Sequence, residues 1–221
     1  MPHVVAIDGP AASGKSSTAQ WVARELQWRH VDSGAFYRAA TAAAMRSAGS
    51  PDSWTEAAVL AAASAVGRRD AGTSVAPTLD GQPCDDEIRG TAVTAQVSRV
   101  AQMPGVRAWV NDQVRAAARD HDVVVDGRDM GTAVFPDASV KVFLVADSWE
   151  RARRRLLQRL GRPPADDEIA QETEALVKRD AADATQTVQA RDAVLIDTTY
   201  LTQPEQVERI VALARAAARP H

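Results

Sequence analysis

The chain has one cysteine, Cys84, and three lysines, Lys15, Lys141 and Lys178, in 221 residues. A lone cysteine excludes an internal disulfide framework and a cysteine zinc cluster, and it suits the cytoplasm. Aromatic residues are scarce, and no basic patch is interleaved with them, which argues against a nucleic-acid surface. Neither sign of charge dominates: 26 basic residues face 29 acidic ones for a net charge of −3, so no global field would recruit nucleic acid or an anionic membrane. No apolar run approaches a membrane span. His3-Val4-Val5-Ala6-Ile7-Asp8 leads straight into a core strand, with no basic and apolar regions of a signal peptide before it, so none is expected. The shortage of lysine is also informative, because arginine has replaced it nearly everywhere among the basic residues and yet Lys15 is retained.

Lys15 lies in Gly9-Pro10-Ala11-Ala12-Ser13-Gly14-Lys15-Ser16, a G-x-x-x-x-G-K-S phosphate loop. The apolar strand pattern precedes it, and Ser17-Thr18-Ala19-Gln20-Trp21-Val22-Ala23-Arg24-Glu25-Leu26 follows with apolar residues at helical spacing. Strand, glycine loop and helix are the context that makes the pattern a site. Loop amides and the positive helix end converge where a polyphosphate would sit, with Gly9 to Ser17 as its ATP-binding stretch. Lys15 would reach the β- and γ-phosphates, since a compact ammonium fits between phosphates as a planar guanidinium does not. The Ser16 hydroxyl would bind Mg²⁺ accompanying ATP.

Further strands are expected at Arg29 to Asp32, Asp122 to Asp126, Val140 to Val145 and Ala193 to Asp197. Helices are expected from about Ala35 to Ala48, Pro51 to Gly67, Thr91 to Ala101, Pro104 to Arg119, Asp167 to Ala184 and from Pro204, with an arginine-rich helix after Val145. Five strands separated by helices imply a doubly wound α/β fold, a five-stranded parallel sheet with the phosphate loop at the carboxyl ends of its strands. Asp80-Gly81 between extended runs signals a hairpin, and residues 62–100 read as an insertion outside that sheet. Two other strand ends carry charge: Asp32-Ser33-Gly34-Ala35-Phe36-Tyr37-Arg38 and Asp126-Gly127-Arg128-Asp129-Met130-Gly131-Thr132. Each offers an arginine beside hydrogen-bonding groups, which suits a second anionic ligand. Taken singly, Asp129 also fits a solvated loop carboxylate and Arg128 a local ion pair.

These stretches resemble the bacterial cytidylate kinases, P-loop nucleoside monophosphate kinases. The resemblance runs through Ile7-Asp8-Gly9-Pro10, Gly14-Lys15, Asp32-Ser33-Gly34, Tyr37-Arg38, Glu87-Ile88-Arg89, Pro104 and Val106-Arg107. It continues through Asp126 to Thr132, Val134-Phe135-Pro136-Asp137-Ala138, Lys178-Arg179-Asp180 and Ile196-Asp197-Thr198. The run from Gly127 to Ala138 is the most specific part. The resemblance implies one kinase domain with a core (about 1–61, 101–150 and 190–221), a monophosphate-binding insertion (62–100) and a short lid (151–189). It implies Mg-dependent transfer of the γ-phosphate of ATP to CMP or dCMP by a cytoplasmic monomer, with no nucleic-acid polymer and no membrane as partner.

By the same resemblance Ser33, Arg107 and Asp129 would read the cytosine edge, Arg38 and Arg128 would clamp the acceptor phosphate, and Tyr37 would pack beside the nucleotide. Arg179 and Asp183 would lie near sugar and phosphate. A carboxylate suits the N4 amino group of cytosine and leaves a buried group unpaired with uracil. Arg151 and Arg155, at i and i+4, are candidates to close over ATP, although a solvated arginine face fits them equally. The chain departs from the family pattern at Gln186, where a phosphate-binding arginine is expected, and 187–191 is short; either Arg191 substitutes or the acceptor phosphate loses a contact. Other acceptors (UMP, AMP, shikimate) and a nucleotide-dependent switch are the competing readings, the latter weakened by the lack of an Asn-Lys-x-Asp motif.

Overall fold

The computed structural model describes residues 2–218. In chain order they form β1 (Val4–Asp8), α1 (Lys15–Leu26), β2 (Arg29–Asp32), α2 (Ser33–Ser47), α3 (Glu56–Ala62), β3 (Val66–Ala71), β4 (Ser74–Leu79) and β5 (Gln82–Pro83). Then come α4 (Asp85–Arg89), α5 (Thr91–Val100), α6 (Pro104–Ala117), β6 (Val123–Asp126), β7 (Val140–Val145), α7 (Ser148–Leu160), α8 (Asp166–Asp183), β8 (Val194–Asp197) and α9 (Gln203–Ala217). Met1 and residues 219–221, assigned by sequence to the core segment, lie outside the described residues. This is an α/β fold with a mostly parallel sheet and helices. The chain divides into two compact units, one of residues 3–27 with 124 onward, the other of residues 28–123.

In the first unit the strand order is β6-β1-β7-β8. β1 runs parallel to β7, with Val5 opposite Val140 and Ile7 opposite Val142, and β7 runs parallel to β8. Val5, Ala6 and Ile7 have no exposed surface. Such two-sided burial explains why β1 reads as a continuous apolar run rather than an alternating one, and each large side chain of this kind contributes about 1.5–3 kcal/mol. Helix ends follow their cap chemistry. The Asp147 carboxylate accepts from the amides of Trp149 and Glu150 at the start of α7, and Gly161 closes that helix at φ 66°. Thr202 and Glu205 close a capping box at the start of α9. Thr18 of α1 donates to Gln206 Oε1 of α9 at 3.0 Å in buried surroundings.

In the second unit the order is β3-β4-β2, with β5 on β4. Asp80 and Gly81 both have positive φ (51° and 77°), the backbone a two-residue hairpin turn requires, and β4 pairs antiparallel with β5 as expected. Two expectations are corrected here. The segment 62–100 does not stand apart from sheet structure, because β4 pairs parallel with β2, His30 opposite Ser74 and Val31 opposite Val75. The helix expected from Pro51 to Gly67 ends at Ala62, and after one 3₁₀ turn the chain enters β3, antiparallel to β4. β3 carries Arg68, Arg69 and Asp70 at the end of the strand order; charged edges resist unwanted pairing, and they also erase the apolar alternation that marks a strand. A core of Ala35, Ala39, Ala42 and Ala43 of α2 against Leu79, Ile88 and Val93 holds this unit together.

Candidate active site

The phosphate loop leaves β1 at Gly9, whose φ is 145°; a Cβ there would lie 2.1 Å from the carbonyl oxygen of Leu144. No other residue fits where β1 passes β7 so closely. Gly14, at φ 88°, caps α1 and turns the loop onto the helix N-terminus. Between them Ala12 takes a left-handed φ of 58°. Lys15 is buried, and its Nζ donates to the Pro10 carbonyl at 2.6 Å and to Ser13 Oγ at 3.4 Å. The ammonium is thus folded over the loop it belongs to, at the end of the helix that favours anions. Ser16 and Ser17 are exposed, and Ser17 Oγ donates to the Gly14 carbonyl.

Two strand-end carboxylates organise the surroundings of this loop. Asp126, at the end of β6, is buried and accepts from Ser16 Oγ at 2.6 Å. Asp8, at the end of β1, accepts from the amides of Met130 and Gly131, each at 2.8 Å. Burial pushes the Asp8 carboxyl up to about 6; the two amides and Lys15 pull it down, and Asp129 adds to the rise. The peptides that Asp8 holds begin a single π-turn, Met130–Val134, in which Phe135 N donates to Met130 O at 2.7 Å. Sequence reading did not assign Asp8 or Asp126 a role; the available signal was an acidic residue closing an apolar strand directly before glycine.

The turn follows Arg128 and Asp129. Arg128 donates to the Gly9 carbonyl at 3.2 Å and to Asp183 at 3.4 Å, so it joins the phosphate loop to α8. Arg179 Nε stands 3.7 Å from the same Asp183 carboxylate. Asp183 and Asp129 are buried. The first unit therefore brings Arg128, Arg179 and Asp183 together at the loop, as a cluster in which Arg128 Nε is buried with no hydrogen-bond partner among the described residues. Gln186 follows Asp183 by one turn, its amide bonded to the Asp183 carbonyl, and Arg191 is exposed.

The arginines of α7 are paired rather than merely solvated. Arg151 is buried and bonded to Asp180 and to backbone carbonyls of Ala11 and Ala146. Arg155 and Arg159 meet Glu172 of α8, at 3.1 and 3.2 Å. Arg153 and Arg154 share Glu150, and hydrogen bonds from Arg153 first, then Arg154, hold its carboxyl below the usual range. Arg154 also donates to the carbonyls of Thr198 and Thr199.

In the second unit, Asp32 caps α2 and Ser33 begins it, buried. Tyr37 is buried with the Arg107 guanidinium 5.7 Å from its ring centre, a cation–π distance. Arg38 donates to Thr94 Oγ1 at 2.8 Å and to the Ile88 carbonyl at 3.2 Å, and Arg107 donates to the Ala101 carbonyl at 3.1 Å. Tyr37 and Arg107 are thus brought into contact, while Arg38 is tied to the segment 88–94.

Residues 5–216 match the family model described as cytidylate kinase. The chain is 40% identical over 218 residues to a cytidylate kinase of Rhodococcus jostii, covering 94% of this chain and 93% of that protein. It is also 40% identical over 218 residues to a bifunctional pantoate ligase/cytidylate kinase of Synechococcus, covering 96% of this chain but 40% of that protein, so it spans about two fifths of that relative's length. In fold it is similar to the crystal structure of an uncharacterized protein from Eubacterium ventriosum, at 11% identity, a TM-score of 0.54 and coverage of 98% of this chain and 99% of that one. With a phosphate loop of this geometry at the end of β1, and a family match along nearly its whole length, the chain belongs to the cytidylate kinase family.

Proposed function

We propose that the protein transfers the γ-phosphate of ATP to CMP or dCMP, giving CDP or dCDP. The observation that carries this reading is the phosphate loop from Gly9 to Ser16, with Lys15 over it and the Arg128–Asp183–Arg179 cluster tied to its Gly9 carbonyl, in a chain of this family. Cytosine selection is assigned to Ser33, Arg107 and Asp129, the acceptor phosphate to Arg38 and Arg128, sugar and phosphate contacts to Arg179 and Asp183, and nucleotide packing to Tyr37. The reading keeps residues 62–100 as the monophosphate-binding region, 151–189 as the lid and the rest as the core, and it places a monomer in the cytoplasm. Among the described residues no helix is long and apolar enough to cross a membrane.

The acceptor is already an anionic oxygen, so no general base is needed, and catalysis rests on alignment and charge. Lys15 and the loop amides hold the donor phosphates, and the arginines lower the repulsion between two anions. Ser16 and Asp126, hydrogen-bonded to each other at 2.6 Å, would hold Mg²⁺ by one hydroxyl and one carboxylate, hard oxygen donors of the kind it takes. Bound there with ATP, Mg²⁺ would neutralise charge on the transferring phosphate. Arg151 and Arg155 are assigned to the lid, whose closing over ATP would exclude water.

A coupled assay of ADP release with CMP, dCMP, UMP, AMP and shikimate tests the assignment. Turnover with the cytosine nucleotides is expected. Faster turnover with another acceptor, or ATP hydrolysis indifferent to any acceptor, would overturn it.

A further inference from the structure

Ala11, in the middle of the phosphate loop, is held on three sides by α7 and α8. Its methyl is buried among Ala152, Leu156, Ile169 and Leu176. Its amide donates to Asp180 Oδ1 at 3.3 Å, and its carbonyl accepts from Arg151 Nη1 at 2.9 Å. The same Nη1 lies 2.7 Å from Asp180 Oδ2, and Arg151 Nε donates to the Ala146 carbonyl at 3.1 Å, which fixes the guanidinium from the end of β7. An ion pair that merely joined the two helices would have no need of the loop; Arg155 with Glu172 makes such a pair one turn further along. The next loop residue, Ala12, has its φ at 58°. A residue with a side chain occupies that left-handed conformation at a cost and keeps it only when its surroundings over-determine it.

We propose that Arg151 and Asp180 are a positioning pair, which grips the Ala11 peptide so that the loop already has the shape that receives the ATP phosphates. Neither side chain needs to touch the reacting atoms; each acts through Ala11. The inference rests on reading the loop as the ATP site, and it is independent of which acceptor the enzyme uses.

The test compares the full-length wild type with Asp180→Leu, Arg151→Met, the double variant and Asp180→Asn. The readouts are equilibrium binding of ATP and of CMP, KM for each, and thermal unfolding. Each single apolar replacement is expected to weaken ATP binding and raise the ATP KM about tenfold or more, the size of a lost hydrogen bond to a charged group. CMP binding is expected to stay within twofold. The double variant leaves no lone buried charge, so its melting temperature should recover while its ATP affinity stays low. Asp180→Asn keeps an acceptor for the Ala11 amide and should bind ATP with intermediate affinity. Wild-type ATP affinity in the double variant would show that the pair only ties α7 to α8, and equal loss for ATP and CMP would show a general structural role. Should a single variant fail to fold, the double variant and Asp180→Asn carry the test. ATP titration also separates this idea from the acceptor assignment, since an enzyme inactive toward CMP can still be scored by ATP affinity.

Discussion

Asp8 makes stability depend on pH in a direction opposite to that of an ordinary paired carboxylate. Burial at the end of β1 pushes its native carboxyl up to about 6, against the ordinary carboxyl value of 3.8. Between about pH 4 and pH 6 the native state therefore holds a proton that the unfolded chain has released. Unfolding free energy falls as pH rises wherever the native state binds more protons. The stabilising contribution is complete below the unfolded value and is lost as pH rises through about 6. A shift of about two units corresponds to about 3 kcal/mol at about 1.4 kcal/mol per unit. The assay is urea unfolding of wild type and Asp8→Asn between pH 4 and pH 7. Asn cannot titrate, and the exposed carboxylates held low by hydrogen bonds, such as Glu168 with Arg162 and Asp192 with Lys141, are common to both proteins and cancel in the difference. Wild type minus variant should fall by up to about 3 kcal/mol across that range. A difference that does not change with pH would refute the reasoning. Asn can accept from only one of the two amides, so the variant is expected to be less stable at low pH in any case.

Three further outcomes are expected. Lys15→Ala should lower kcat by about 10²–10³, the loss of a charge-stabilising donor, and near-normal turnover in steady-state assays would contradict the loop's role. Gly9→Ala should cost about 3 kcal/mol or more in chemical unfolding, since nothing can move aside for a Cβ against the Leu144 backbone; a variant within about 0.5 kcal/mol of wild type, the size of a neutral surface change, would contradict that. Gln186→Arg should lower the KM for CMP by restoring a phosphate contact, and an unchanged KM would count against a weakened acceptor site.

Much of the fold was legible because its strands are covered on both faces, which writes them as runs such as Val123-Val124-Val125 and Val4 to Ile7. The phosphate loop was equally plain, because its glycines meet steric demands at fixed places, and Asp80-Gly81 announced its hairpin. β3 was not legible: its sequence is shaped by being an edge, and the apolar spacing of Val59, Ala63 and Val66 carried the expected helix into its first residues. The π-turn carries no local signal, since its geometry is imposed by Asp8 from more than a hundred residues away. The site was legible at its named motifs and dim elsewhere for a similar reason. Arg151 looked like one of several arginines on a helix face; what distinguishes it is Asp180 and the Ala11 backbone, both remote in sequence. Sheet membership of β4 depended on the register with β2, a relation between segments that neither segment states alone.

The near-absence of lysine has a practical side. Of the three ε-amines, Lys15 is enclosed by its loop, and Lys141, 9% exposed at its side chain, is held by Asp192 at 2.8 Å. Lys178 is the one that faces solvent, on α8, two positions before Asp180. An amine-reactive dye would find its side-chain target there, giving a spectroscopic reporter on the helix that grips the phosphate loop, without introducing a cysteine or removing one.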